Sequence, residues 1–565
     1  LNAGTVEASY VVPVPPAAAG AAPQVTLPYS SGAVDGMHTN RNNQPSWVGI
    51  GWELTAGAIH RGFDTCLDTD GGTHPQAPGD PCPDGDNYTI TLNGVGSRLV
   101  ETTTPDEFRL VDDPHWRVLR RFDAPSGHSD SRGEYWVVVT PDGTSYTFGG
   151  EEHGQDSAFH TWVYSPAPWD GYGWCVGHMY GICPLVYQWN LDKVEDTNGN
   201  VILYTYEQET NWFNARWSFL REYVRAGHLT SIEYTKRADN MTSPGNARVM
   251  FVAEDRCVGD CDGPEDYPDT PLDLECAQTG TCAQQSPTYW TDQRLARIDT
   301  EVREGASWAV SQRQVLEYDF PLPDDAASEQ KLWLDSIQRT DAAFNGLPGV
   351  SYDEVMLRNR LNLGVSWMEM PRLATMTNEL GGEVAFTYGQ SDPCQPGVVY
   401  DSPDHIELDC FLAWDPGVAG QPPGNVLWQK YKVMARTANS GAPGALDETV
   451  TYEYEPPAWH RNQDPFFDGP RRNTDWRGHM VVTVTDGSGA RTEYRFYRGL
   501  DGDWDWGPES IVLSDGTTST DHEWLKGRMA EQRRLDAAAT ALTRAVNEYG
   551  STVTVADPDL EARFV

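Results

Sequence analysis

The chain has 565 residues, and the 21 Trp, 25 Tyr and 16 Phe among them exclude a disordered polymer, because chains that cannot bury apolar surface are poor in aromatics. Mean hydropathy is −0.55, and no run of about 18 consecutive apolar residues is present to form a transmembrane helix. With 83 acidic residues against 41 basic ones and a formal net charge of −42, the chain lacks the basic stripe that nucleic-acid binding needs, and docking on an anionic membrane is disfavoured. Aromatic, Val and Thr residues at this density favour strands, and 53 Gly and 39 Pro favour many turns. The composition therefore predicts a mainly β protein with long loops.

In chain order, residues 1–61 form an extended lead and an opening block. The segment from Ala8 to Tyr29 carries VVPVPPAAAGAAPQVTLPY, whose prolines forbid a central strand or a helix, so it should run extended or as an edge. In PSWVGIGWELTAGAIHR (45–61), Trp47, Ile50, Trp52 and Leu54 are expected to mark buried strand faces between glycine turns. Residues 62–150 read as a β-meander with a disulfide loop, its short alternating strands separated by NG and PDG turns. Residues 151–184 form an aromatic insertion, WVYSPAPWDGYGWCVGHMYGIC, with little periodicity. Strands resume over 185–254, yield to an acidic cysteine-rich insertion at 255–292, return over 293–388, break for a disulfide loop insertion at 389–428 and continue over 429–565. Residues 321–336 hold the best short helical candidate.

One unit recurs: a strand, an Asp or Asn with Gly, then a strand ending in aromatics. It appears as LDKVEDTNGNVILYTY (191–206), LATMTNELGGEVAFTYG (373–389) and VVTVTDGSGARTEYRFY (481–497). The Asp/Asn-Gly pair closes a tight hairpin, and the terminal aromatics are expected to stack across neighbouring strands. Hairpins that cannot bury a face alone must pack on each other, which predicts a wound sheet or solenoid. GRMAEQRRLDAAATALTRAVNEY (527–549) has helical composition. Its position in the pattern nevertheless predicts two strands around an LDAAAT turn.

The ten cysteines fall in local groups: Cys66 with Cys82, Cys175 with Cys183, Cys394 with Cys410, and Cys257, Cys261, Cys276 and Cys282 in one acidic stretch where three pairings are possible. Loop-stapling disulfides predict an oxidising compartment and an exported, secreted or cell-surface protein. The start at Leu1, without Met or an apolar signal core, reads as a mature or processed chain.

VPVPPAAAGAAPQVTLPYSSG followed by WVGIGWELTAGAIHR resembles the opening of bacterial SpvB-like and RHS/YD-repeat proteins. WVVVTPDGTSYTFG, WNLDKVEDTNGNVILYTY and RGHMVVTVTDGSGARTEYRFYRG are similar to blocks that follow in that family. The resemblance is to the family's N-terminal part, including toxin-complex B/C-like proteins, and it makes the strands of 185–254, 293–388 and 429–565 YD-like. It implies a segment of a wound YD-repeat β-sheet or solenoid shell, with the disulfide-pinned loops as additions to the family pattern. Such shells encapsulate or present a C-terminal effector.

No G-x-S-x-G elbow, HExxH or GK dipeptide occurs, so no nucleophile, zincin or P-loop site is expected. His153 and His160 flank the aromatic insertion and read as structural or solvent-exposed. Asp255, Asp260, Asp262 and Glu265, together with Asp266, supply hard oxygen ligands that suit Ca²⁺ in an extracellular protein; Asp68, Asp70, Asp80, Asp84 and Asp86 do so on the first stapled loop. Neither group has EF-hand spacing, and a solvated, disulfide-pinned surface loop is the favoured reading of each. Trp169, Tyr172 and Trp174, with Trp162, Tyr164 and Tyr180, either present a glycan- or protein-binding surface or form a mini-core beside Cys175 and Cys183.

The expectation is a non-enzymatic structural shell segment of a secreted polymorphic toxin or toxin-like particle. Its partners would be other segments or chains completing the shell and an enclosed toxin domain, and calcium would be its one candidate cofactor. The alternative is an extracellular adhesin or glycan-binding protein on the same scaffold, with a cell-surface glycan or protein as partner. A secreted carbohydrate-active enzyme ranks third, because no carboxylate pair stands out.

Overall fold

The computed structural model describes the chain apart from residues 38–42, 55, 66–80, 123, 125–132, 165–181, 216–218, 280–281, 342, 344, 362–365, 396–406, 416–423, 462–472, 504–506 and 558–559. Strands account for 57% of the protein and helix for 3%, as the composition predicts.

The lead forms a two-stranded hairpin, β1 (Glu7–Val12) with β2 (Val25–Ser30), and one short helix, α1 (Ser31–Asp35). Next come β3 (Ala58–Thr65), β4 (Pro81–Leu92), β5 (Val95–Glu101), β6 (Glu107–Leu110), β7 (Arg117–Arg121), β8 (Tyr135–Val139), β9 (Ser145–Phe148), β10 (Ala158–Tyr164) and β11 (Ile182–Glu195). Strands β3 to β9 pair in sequence, β9 pairs with β11, and β11 pairs back with β3, so the meander closes into an antiparallel barrel. Alternation supplies its interior: in YWVVV, Trp136 and Val138 point inward, and in EFRL, Phe108 and Leu110 do. Trp136 packs at 4.8 Å from Tyr88, 5.1 Å from Phe108 and 5.7 Å from Trp189. Arg61 lies over Trp189 and donates to Glu134 at 2.7 Å, so the buried charge is paired.

From the barrel a ribbon grows: β12 (Asn200–Ala215), β13 (Phe219–Arg237), β14 (Ala247–Asp255), β15 (Gln293–Glu304), β16 (Ser307–Asp319), β17 (Trp333–Thr340) and β18 (Gly346–Arg358). After β19 (Arg360–Leu361) it continues through β20 (Glu369–Thr377), β21 (Glu383–Gly389), β22 (Cys410–Asp415), β23 (Gly424–Gln429), β24 (Lys432–Asn439), β25 (Glu448–Arg461), β26 (Asn473–Thr485) and β27 (Arg491–Phe496). It ends with β28 (Ser510–Val512), β29 (Thr518–Thr520), β30 (Met529–Leu535) and β31 (Ala541–Val546), before a last hairpin, β32 (Thr552–Val555) with β33 (Ala562–Phe564). Apart from the side sheets β19–β23–β22 and β28–β29, each ribbon strand pairs antiparallel with the next, from β11 to β31.

The recurring hairpin has a common mechanism. Asp196, Asp341, Asn378, Asp486 and Asp536 each open a turn, and each side-chain oxygen accepts the backbone N–H groups two and four residues on. Gly199, Gly381, Gly489 and Ala539 take the left-handed conformation these turns require. A second device closes the far end. The hydroxyls of Tyr206, Tyr318, Tyr388, Tyr454 and Tyr549 donate to the carbonyls of Leu191, Leu295, Leu373, Val433 and Met529 at 2.7–2.8 Å. The sequence predicts stacking across neighbouring strands; the near-parallel pairs Tyr452 with Tyr454, at 6.5 Å, and Tyr494 with Phe496, at 6.2 Å, instead lie along one strand each, and Tyr454 latches its own hairpin. Phe496 occupies the latch position of the 481–497 unit and has no hydroxyl to donate. Tyr388→Phe is accordingly expected to lower the unfolding free energy by about 1 kcal/mol, measured by urea denaturation, with no change of fold.

The lead crosses the ribbon. Its contacts run from Pro15, whose carbonyl accepts from Tyr234 of β13, to Asn2, whose carbonyl accepts from His479 of β26. The principal core is shared between the two: Leu27, Tyr29, Val48, Ile50 and Trp52 pack with Leu295, Trp333, Ile337, Leu373 and Trp459. The GIG of the opening block is a packing requirement, since Gly49 and Gly51 both have positive φ and a Cβ on Gly51 would lie 2.5 Å from the Tyr29 ring.

Three expectations are corrected or sharpened here. Trp47, Ile50 and Trp52 are buried as expected, but 46–52 is a run of turns and isolated bridges, because its backbone bonds to Leu332 and Leu295 of distant segments instead of to a neighbouring strand. The 321–336 stretch contains no helix; it is a loop leading into β17, whose Trp333 is buried and donates its indole N–H to Tyr352. The 527–549 stretch forms two strands, β30 and β31, as its position predicts. Finally, the ribbon returns to its origin: Arg563 of β33 exchanges backbone hydrogen bonds with Val111 and Asp113 next to β6, and Phe564 stacks on His115 at 4.1 Å.

Candidate functional site

The polar groups that the fold brings together lie mainly where the lead meets the ribbon. Arg256 and Asp269 form an ion pair at 2.7 Å with neither side chain exposed. Arg256 also donates to the carbonyls of Ser46 and Pro45, and Asp269 accepts the Leu332 N–H. The acidic cysteine-rich insertion therefore acts through Asp269, which pins the opening block to the end of the loop that leads into β17. Nearby, Asp35 of α1 accepts from Arg372 at 2.7 Å and from Lys430 at 2.5 Å, and Asn359 donates to the carbonyls of Val34 and Met37. Lys432 pairs with Asp409 at 2.9 Å, both buried, which ties the 389–428 insertion into β24. None of these residues stood out in the sequence, because a paired buried charge has no local signature distinct from a surface one.

The residues singled out in the sequence are placed differently. Asp255 ends β14, where one oxygen accepts from Gln293. Asp260, Asp262 and Glu265 lie on the following loop, where Asp266 accepts the N–H groups of Asp262 and Gly263. Among the described residues no three His, Cys, Asp or Glu side chains converge as a metal site. On the first acidic loop, Asp68, Asp70 and Asp80 lie outside the described residues, and Asp86 pairs with Arg120 at 2.9 Å.

Of the three pairings open to the central cysteines, the structure has Cys257–Cys261 and Cys276–Cys282, and Cys394–Cys410 is also joined. Cys82 and Cys183 are disulfide-bonded, while Cys66 and Cys175 lie outside the described residues. So do Trp169, Tyr172, Trp174 and Tyr180. Trp162 and Tyr164 sit on β10: Trp162 donates to the Glu222 carbonyl under Arg221, and Tyr164 joins a small core with Ile182, Phe213 and Tyr223.

Two buried titratable groups, His460 and Asp192, have shifted proton affinities. His460 is surrounded by Asp475 at 3.7 Å, Asp503 at 3.9 Å and Glu523 at 3.6 Å, and Arg477 bridges Asp475 and Glu523. Burial, then the nearby Arg477, holds its imidazole below the usual histidine range. Its Nδ1 neither accepts nor donates a hydrogen bond among the described residues. The cluster's geometry is that of an ion network joining β25, β26 and the 497–525 segment.

Asp192 is buried on β11 and accepts from the Glu151 N–H and the Ser157 hydroxyl, yet burial pushes its carboxyl up to about 7. Between about pH 4 and pH 7 the folded chain holds a proton there that the unfolded chain has lost, so stability falls as pH rises through that window. Asp192→Asn is expected to remove this fall, worth up to about 4 kcal/mol, seen as urea midpoints at pH 5 and pH 8 that draw together.

One surface stands out for exposure. All six residues of β31 are exposed, Leu542 at 66%, and among the described residues the strand pairs with β30 alone. A strand edge of this kind can receive another strand. No described helix is long and apolar enough to cross a membrane.

No family model and no curated protein matches the sequence. Solved structures do match. The whole chain aligns with 41% of a chain in the crystal structure of TcdB2–TccC3–Cdc42, at a TM-score of 0.52 and 10% identity. The N-terminal domain of the effector SpvB from Salmonella typhimurium strain LT2 aligns over 59% of this chain and 98% of its own, at TM-score 0.34 and 16% identity. The Tc holotoxin pore of Photorhabdus luminescens aligns over 99% of this chain and 29% of its own, at TM-score 0.36 and 11% identity. The first likeness establishes the fold, a wound β-sheet of toxin-complex type, and this chain spans about two fifths of that neighbour's length. The resemblance to toxin-complex proteins read from the sequence is borne out at the level of the fold.

Proposed function

We propose that the chain is a non-enzymatic wall segment of a secreted, toxin-complex-type β-shell that encloses or presents an effector. The observation that carries this reading is the ribbon from β11 to β31, built from repeated Asp/Asn-capped, tyrosine-latched hairpins, in a chain that aligns over its whole length with 41% of a toxin-complex chain. Such a ribbon is a wall element: each hairpin buries its faces against its neighbours and the lead, and the design extends by adding units. The exposed edge of β31 is where a further strand, from the same polypeptide or from another, would continue the wall.

Cryo-EM of the natively secreted particle containing this chain tests the reading. The expected result is a closed β-shell in which density continues across the β31 edge and a separate body lies inside. A particle without an enclosed space, combined with saturable glycan binding that Trp169→Ala or Trp174→Ala weakens, would replace it with the adhesin reading.

A further inference from the structure

Lys432 and Asp409 are the one lysine–carboxylate pair among the described residues in which neither side chain is exposed at all. The lysine Nζ lies 2.9 Å from Oδ2 of Asp409 and donates to the Ser391 hydroxyl at 3.1 Å. The lead closes over its stem: a Cβ on Gly4 would fall 2.9 Å from Lys432 Cγ, so only glycine lets the backbone pass this close. On another side Nζ stands 5.2 Å from the centre of the Tyr454 ring.

The two oxygens of Asp409 are held unequally. Oδ2 accepts the backbone N–H groups of Ser391 at 2.7 Å and Asp392 at 3.0 Å, besides Nζ. Oδ1 is buried and has no hydrogen-bond partner among the described residues. Two backbone N–H groups aimed at one oxygen form an oxyanion hole for addition at the carbon that bears it. The other buried pairs lack this arrangement. At Asp35 one oxygen accepts from Arg372 and the other from Lys430, which leaves neither oxygen free. The partner of Asp269 is Arg256, whose guanidinium is not deprotonated in proteins and is no nucleophile.

We propose that Lys432 and Asp409 condense after folding into an intramolecular amide, a covalent staple between the 389–428 insertion and β24. The ammonium of Lys432 gives a proton to Oδ1, and the resulting amine attacks Cγ. Charge developing on Oδ2 falls on the N–H groups of Ser391 and Asp392. A second proton passes from nitrogen to Oδ1, the Cγ–Oδ1 bond breaks, and water leaves while the new Nζ–Cγ bond remains. One ammonium and one carboxylate thus become one secondary amide and one water, with no oxidant, cofactor or outside acyl donor. Folding supplies the advantage, because two groups fixed side by side react at a far higher effective concentration than free in solution. Cys410, next to Asp409, is joined to Cys394, so the insertion carries two adjoining staples. Reduction opens the disulfide and leaves the amide closed.

Intact mass spectrometry of the full folded chain, denatured and reduced before injection, tests this. The expected mass is that of the sequence less one water, about 18 Da. Chymotrypsin cuts the intervening chain after Phe411, Trp428 and Tyr431, so the two residues are expected together in one branched peptide, identified by its fragmentation. Lys432→Arg keeps a cation opposite Asp409 but cannot form the amide, and is expected to restore the full sequence mass. The proposal is overturned if the unaltered chain has its full sequence mass. It is equally overturned if the water loss persists in Lys432→Arg, as a succinimide at an Asp-Gly pair would. The deciding mass and peptide are those of the unaltered chain, so a variant that fails to fold does not obscure the result.

Discussion

Trp52→Ala is expected to lower the unfolding free energy by about 3–5 kcal/mol, the range for truncating a buried aromatic into a cavity. Trp52 is 2% exposed and stands between Tyr29 of the lead, at 5.2 Å, and Tyr352 of β18, at 4.7 Å. The lead and the ribbon share one core, so the loss falls on their joint packing and not on a single hairpin. Urea denaturation followed by tryptophan fluorescence checks the size. Limited proteolysis checks the place, because the variant should be cut first in the lead. A loss below about 1 kcal/mol would mean that the lead rests on the ribbon without supporting it.

Asp269→Ala is expected to cost a similar amount, about 3–5 kcal/mol, because it strands a fully buried Arg256 without its counter-ion. The Leu332 N–H loses its acceptor at the same time. The double substitution Arg256→Met with Asp269→Leu should recover part of the loss, since a buried pair replaced by apolar groups no longer pays for desolvated charge. Recovery should stop short of the native value: the Pro45 carbonyl and the Leu332 N–H lose the donor and the acceptor that the pair supplies, while the Ser46 carbonyl keeps the Gly49 N–H. Denaturation midpoints of the two single variants and the double variant provide the cycle. If the double variant is no better than Asp269→Ala, the pair's worth lies in its hydrogen bonds to the opening block and not in charge.

Local chemistry made much of the fold legible. The hairpins around Asp196, Asn378 and Asp486 were readable because a side-chain oxygen two and four residues from its donors, with glycine in the left-handed position, is encoded within five residues. Position in the repeating pattern placed β30 and β31 as strands against their helical composition, although Ala539 stands where the other turns have glycine. Local turn chemistry missed the Asp341 turn, where DAAFN carries no glycine to mark it. The tyrosine latches were half-legible: the sequence shows the aromatic at the end of the unit, but a hydroxyl reaching a carbonyl fifteen residues back is visible only once the strands are paired.

The opening block shows the limit most clearly. Its aromatic and glycine pattern announces burial, and Trp47, Ile50 and Trp52 are buried. The backbone partners that decide between strand and turn belong to Leu295 and Leu332, more than 200 residues away, and no local pattern names them.

By itself the sequence determined the class, the hairpin turns, the local grouping of the cysteines and the absence of a recognisable catalytic motif, because each depends on short-range residue chemistry. Tertiary structure alone decided three things: the closure of the barrel through β3 and β11, the passage of the proline-bearing lead across the ribbon from β13 to β26, and the return of β33 to the barrel. It also decided which of 83 carboxylates matter. Asp269, Asp35 and Asp409 are ordinary acidic residues in the chain. They become anchors because folding removes them from water, where only a partnered charge can stay.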